Sequence, residues 1–150
     1  MRCTVTVRRS ARRRRQRVIA ALLVAAASAA AGCGLNVQSA DLFLLTRTGP
    51  GSKLTLEVND GGTIRCNGGH AHAISSARLI VARDLADSLA TDAQHGLHLA
   101  TAPGSIYRFR IDLEQGVIRF SDRDTPGHPN LAHAVLFATQ VAGQVCGLSG

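Results

Sequence analysis

Tryptophan is missing from this chain, tyrosine occurs once and phenylalanine four times. Stacking platforms for bases, nucleotides or sugars need flat side chains on a surface, so that scarcity argues against single-stranded nucleic acid and carbohydrate as ligands. The chain also has no Gly-rich phosphate loop closed by Gly-Lys and no Gly-x-Ser-x-Gly turn to present a hydrolase nucleophile. Its longest apolar segment, Val18 to Ala31, falls short of the roughly 20 residues that cross a bilayer as a helix. Acidic side chains are absent before Asp41.

That last absence changes the meaning of the net charge of +7. Eight of the seventeen basic residues, Arg2, Arg8, Arg9, Arg12, Arg13, Arg14, Arg15 and Arg17, lie ahead of the apolar segment. From Cys33 onward nine basic and ten acidic side chains leave a formal charge of −1. The basicity therefore belongs to a leader, where it orients export as in the positive-inside rule, and nucleic acid is excluded as a partner. The segment Val18 to Ala31 ends in small residues and reads as the apolar core of a signal peptide. The residues Ala30-Ala31-Gly32-Cys33 resemble the lipobox of bacterial lipoproteins, in which the cysteine is lipidated and becomes the new amino terminus. Ala30 stands where that family usually has Leu or Val, and cleavage after Ala29-Ala30-Ala31 without lipidation is the alternative. No apolar pair follows Arg8-Arg9 as a twin-arginine signal requires, which points to general secretion.

Four cysteines support the lipid reading. Cys3 leaves with the leader and lipidation occupies Cys33, so Cys66 and Cys146 remain as one disulfide pair in an oxidising compartment. The expected organisation is a signal peptide over 1–32, a lipid-anchored tether over 33–40 and a single domain over 41–150. The stretch Gly34 to Ala40 reaches at most about 25 Å when extended.

From Asp41 the pattern is that of strands. Leu42 to Thr48 is an apolar run, Gly49-Pro50-Gly51 a turn, and Leu54, Leu56 and Val58 share one face of the next segment. A third strand, Thr63 to Cys66, matches apolar faces when Val58 opposes Ile64 and Leu56 opposes Cys66. This leaves the loop Asp60-Gly61-Gly62 and sets Glu57 across from Arg65. A helix is predicted from about Ser76 to His95, capped by Ser75 or Ser76 and stopped by Gly96, with Val81, Ala82, Leu85, Ala86, Leu89 and Ala93 as its buried stripe. A second hairpin, Ile106 to Leu113 and Val117 to Asp122, turns Tyr107, Phe109, Ile111 and Leu113 inward. A turn at Gln115-Gly116 pairs Leu113 with Ile118, Ile111 with Phe120 and Asp112 with Arg119. The last helix runs from Pro129 to about Cys146, where Gly147 ends it, and Leu131, Val135, Ala138, Ala142 and Val145 line one side. The fold expected is α+β: an antiparallel sheet of about five strands in the order βββαββα, with two helices on one face and the other face wet.

Cys66, ending the third strand, and Cys146, in the last turn of the final helix, both face inward and are expected to bond. His70 and His72 alternate on an extended segment and form a weak metal candidate that His95 or His98 can extend. Structural zinc takes a full ligand set, so no metal and no cofactor is expected. His128 and His133, at the start of the last helix, lack a paired nucleophile. Arg65, Arg108, Arg110, Arg119 and Arg123 fall on or beside the wet face; Arg108, Arg110 and Arg119 form a possible anion-binding set, with Glu57 and Asp112 interleaved.

The order LTLEVNDGGTIRC, NGGHAH and then a helix resembles the front of subtilisin-inhibitor-like domains, which are small, secreted and built from an antiparallel sheet with two helices. That family bridges its strand cysteine to the following helix, where this chain has residues such as Arg83 and Asp84, and no reactive-site residue is carried over. The chain as a whole resembles short uncharacterised secreted lipoproteins of high-GC Gram-positive, actinobacterial type through LFLLTRTG, NDGGTIRCNGG and QVCGL, a class that brings no activity with it. The functional expectation is an exported, envelope-tethered, non-catalytic module on the outer face of the cytoplasmic membrane, or extracellular without the lipid, binding an envelope or extracellular protein or another envelope component. Alternatives are a protease inhibitor acting through Leu97 to Gly104, and a metal-binding or hydrolytic envelope protein.

Overall fold

The computed structural model describes residues 41–148, so the leader, Cys33 and the tether lie outside the described residues. Four strands come first, β1 (Asp41–Gly49), β2 (Ser52–Asn59), β3 (Thr63–Cys66) and β4 (Ala71–Ala73), followed by helix α1 (Ser76–Gln94). Strands β5 (Arg108–Leu113) and β6 (Gly116–Ser121), a 3₁₀ turn (Asp122–Gly127) and helix α2 (Pro129–Gln144) complete the chain. All strand pairs are antiparallel, in the order β4-β3-β2-β1-β5-β6. The α+β class and the two-helix layer are as the pattern implied. The sheet has six strands because Ala71–Ala73, which the expected order βββαββα does not count as a strand, pairs with β3. With three residues, two of them alanine, that segment has no apolar pattern long enough to mark a strand.

The first hairpin has the expected register, with Leu56 opposite Cys66, Glu57 opposite Arg65 and Val58 opposite Ile64. Its loop closes through the Gly62 N–H donating to the Asn59 carbonyl at 3.0 Å, and Gly62 takes φ +83°, a conformation glycine enters without a Cβ clash. The second hairpin corrects the reading. Leu113 pairs with Gly116, Ile111 with Ile118, Arg110 with Arg119 and Phe109 with Phe120, so the turn is Glu114-Gln115, and Asp112 faces Val117 instead of Arg119. A shift of two residues returns every side chain to its own face, so apolar patterning does not distinguish the two registers. The observed one stacks Phe109 on Phe120 with ring centroids 5.0 Å apart. It also puts Gly116 against α1, where a Cβ would lie 2.3 Å from the Ala93 carbonyl oxygen.

One face of the sheet is apolar. Phe43, Leu45, Leu54, Leu56, Val58, Ile64, Ile111 and Ile118 are buried with Leu85 and Leu89 of α1 and Leu131, Phe137 and Val141 of α2. The Ser75 hydroxyl caps α1 by accepting from the Arg78 N–H at 3.3 Å, and Pro129 starts α2. The helices run antiparallel: Arg78, early in α1, donates to Gln144 at the end of α2, while Asn130, early in α2, donates to the Ser88 carbonyl at 3.0 Å. Val81 does not join the predicted stripe; it lies half exposed on a groove between the helices. On α2 the burial is carried by Ala134, Phe137 and Val141 together with Leu131, Ala138 and Ala142, and Val135 is only half buried. Cys66 and Cys146 form a disulfide, with Cα atoms 5.8 Å apart, that joins the end of β3 to the end of α2.

Candidate functional site: the open face of the sheet

Alternate residues of the same strands build the uncovered face. Directly opposite residues in antiparallel strands share a face, so the registers line up Thr55, Thr46, Arg110 and Arg119 in one row across β2, β1, β5 and β6. A neighbouring row holds Lys53, Thr48 and Arg108. The outer side of β6 is extended by Leu97–Leu99. The Arg119 N–H donates to the Leu97 carbonyl and the Leu99 N–H to the Arg119 carbonyl, both at 2.9 Å, which brings His98 beside Arg119. These residues line a shallow groove of about 290 Å³ that contains Thr46, Thr48, Lys53, His98, Arg108, Arg110 and Arg119. A second hollow of similar volume shares Thr48, Thr101 and Arg108 with it and is edged by Pro50 and Ile106, the latter 58% exposed.

The structure thus gathers Arg108, Arg110 and Arg119, the three arginines singled out from the sequence. Arg110 and Arg119 are directly opposite, and like charges so placed repel. Asp112, two residues along the same face, offsets one of them: its carboxylate accepts from Arg110 Nε at 2.8 and 3.0 Å and from Nη2. That hydrogen bond, with the attraction of the two charges, raises the Arg110 guanidinium above its ordinary pKa. Among the described residues the ion pairs are Arg65–Glu57, Arg83–Asp60 and Arg110–Asp112, so Lys53, Arg108 and Arg119 enter none. A face with three uncompensated cations and the hydroxyls of Thr46, Thr48 and Thr101 can receive an anion through charge-assisted hydrogen bonds.

The other predicted residues lie elsewhere. Arg65 is tied to Glu57 at 3.5 Å on β3, and Arg123 sits in the 3₁₀ turn against Gly104. His128 is the residue before α2 and makes no side-chain cap, and His133 is exposed on the groove between the helices. His70 and His72 are exposed on and beside β4, while His98 lies at the opposite edge. Among the described residues no group of three or more His, Cys, Asp or Glu is placed to hold a metal ion, and no helix is long and apolar enough to cross a membrane. The segment Leu97 to Gly104 divides in two: Leu97–Leu99 is held on β6, and Ala102 to Ser105 closes as a turn through the Ser105 N–H and the Ala102 carbonyl at 3.2 Å. Buried Ser121 fastens that turn by accepting from the Ala102 N–H at 3.3 Å and from the Ser105 hydroxyl at 2.9 Å.

Sequence reading missed Lys53 and His98 as members of the groove. The alternation Leu97-His98-Leu99 was the available signal for His98, since its flanking leucines are half buried and its own side chain is exposed. No protein-family model, curated protein or solved structure matches this chain.

Proposed function

We propose that the protein is exported, is anchored through a lipid on Cys33 to the outer face of the cytoplasmic membrane, and acts there as a non-catalytic binding module. Its open sheet face takes up an anionic envelope component that presents phosphate or carboxylate groups. The observation that carries this reading is the convergence of Lys53, Arg108 and Arg119, without ion-pair partners among the described residues, around a single groove. The leader and the Gly32-Cys33 junction support the location. The alternative inhibitor reading needs an extended exposed loop, and the extended part of Leu97 to Gly104 is already paired with β6.

Titration of the exported protein with tripolyphosphate, followed by NMR and calorimetry, tests the binding half. Shifts confined to β1, β5, β6 and residues 97–101, weakening steeply with salt and lost in an Arg108→Ala, Arg119→Ala variant, are expected. Absence of binding at low salt, or binding unchanged in the variant, defeats it. Intact mass tests the anchor: a mature chain starting at Cys33 and carrying a lipid increment is expected, and a soluble product without one refutes the membrane location.

A further inference from the structure

The two edges of the sheet are finished differently. Leu97–Leu99 covers β6, whereas Ala71, His72 and Ala73 of β4 are all exposed. β4 contains no Lys, Arg, Asp or Glu and no proline, residues by which sheet edges avoid pairing with other chains. The phase of its hydrogen bonds is set by the Ile74 N–H, which donates to the Gly62 carbonyl at 3.0 Å. Bonded pairs recur at every second residue of an antiparallel ladder, so the backbone groups of His72 turn toward Ile64 of β3, and those of Ala71 and Ala73 turn away from the sheet.

We propose that β4 pairs with β4 of a second copy about a two-fold axis at Ala71, and that His70 and His72 of both copies bind one divalent transition-metal ion, zinc or a similar imidazole-seeking metal. The geometry follows from register. With Ala71 opposite its own copy, the two alanines exchange both backbone hydrogen bonds. His70 then lies opposite the partner's His72, and His72 opposite the partner's His70. These are the non-bonded positions of the ladder, where side chains approach most closely. All four imidazoles share one face, with opposite Cβ atoms about 4.5–5.5 Å apart and successive ones on a strand about 7 Å apart. One chain supplies two ligands at this edge and no cluster of three anywhere among its described residues; two copies supply the four nitrogens of a tetrahedral site. A three-residue edge buries far less than the roughly 1,200–2,000 Å² of a stable interface, so the metal is what holds the pair together. This inference does not depend on the anion-binding reading, because no residue of β3 or β4 lines the groove.

Sedimentation of the exported protein with zinc chloride, and again after EDTA, measures the claim. A dimer holding one zinc per two chains, reversed by the chelator, is expected. His72→Ala removes two of the four ligands and should abolish both zinc binding and dimerisation. Ala71→Pro removes an N–H that the β3–β4 ladder does not use, so that variant should keep its circular dichroism and its Cys66–Cys146 bridge yet remain a monomer in zinc. Zinc bound at one per chain without a change in mass, a dimer indifferent to EDTA or to Ala71→Pro, or no zinc uptake at all would each overturn the proposal.

Discussion

Arg110 and Ile111 are neighbours in β5 and meet opposite surroundings. Ile111 is fully buried beneath the helices, while Arg110 lies exposed on the bare face beside a groove. The same alternation runs through β2, where Leu54, Leu56 and Val58 face the core and Lys53, Thr55 and Glu57 face out. The covered face is made of interchangeable apolar groups whose contribution is burial, on the order of 25 cal/mol for each Å² of apolar surface removed from water. The open face contributes little to stability, because exposed charges are screened and hydrated. A sheet covered on one side therefore separates the work of folding from the work of recognition, residue by residue, along a single strand.

Five variants test how complete that separation is. The largest effect belongs to the bridge, which ties the covered face to the end of α2 and closes a loop of 80 residues. Chain-entropy arithmetic for that length gives about 4.5 kcal/mol as an upper figure, comparable with the whole stability of a small domain. A Cys66→Ser, Cys146→Ser variant should melt far below the parent, with amide exchange rising first in α2, and an unchanged melting temperature would show that the core holds the helix unaided. Ile111→Ala should cost about 3 kcal/mol in chemical denaturation, through lost burial and a residual cavity. Arg110→Ala, one residue away, should stay within about 0.5 kcal/mol of the parent; equal losses at the two positions would break the comparison.

Gly116→Ala comes next. Its φ of +151° and the nearness of the Ala93 carbonyl leave no room for a methyl group, and a loss of about 2 kcal/mol is expected from the strain. A neutral result would show that the second hairpin can slide into the register with Leu113 opposite Ile118. Arg65→Ala, like Arg110→Ala, belongs at the small end: it breaks an ion pair with Glu57 between two exposed or half-exposed side chains. Its change in denaturation midpoint should correspond to less than about 1 kcal/mol and shrink further in salt.

Much of this was legible in the residues, for reasons that are local. Val58 and Ile64 pair because the loop Asp60-Gly61-Gly62 admits one register that keeps both inside. Ser75, Gly96, Pro129 and Gly147 bound the helices because capping and left-handed termini are matters of a few neighbouring residues. The bridge followed from parity and from the inward phase of Cys66 and Cys146. Arg108, Arg110 and Arg119 were found together because period-two alternation puts them on one face.

What the chain by itself did not determine was whatever depended on partners distant in sequence. The register of β5 and β6 turned on the stacking of Phe109 with Phe120 and on Gly116 meeting α1, since patterning is blind to a shift of two. Val81 left the core because the two helices part at that point into a groove it shares with Leu136. β4 exists because β3 offers it a ladder, and His98 joins the arginines because Leu97–Leu99 crosses to β6. Local chemistry sets the phase of each strand and the ends of each helix; which strands and loops become neighbours is decided only when the whole sheet is assembled against its helices.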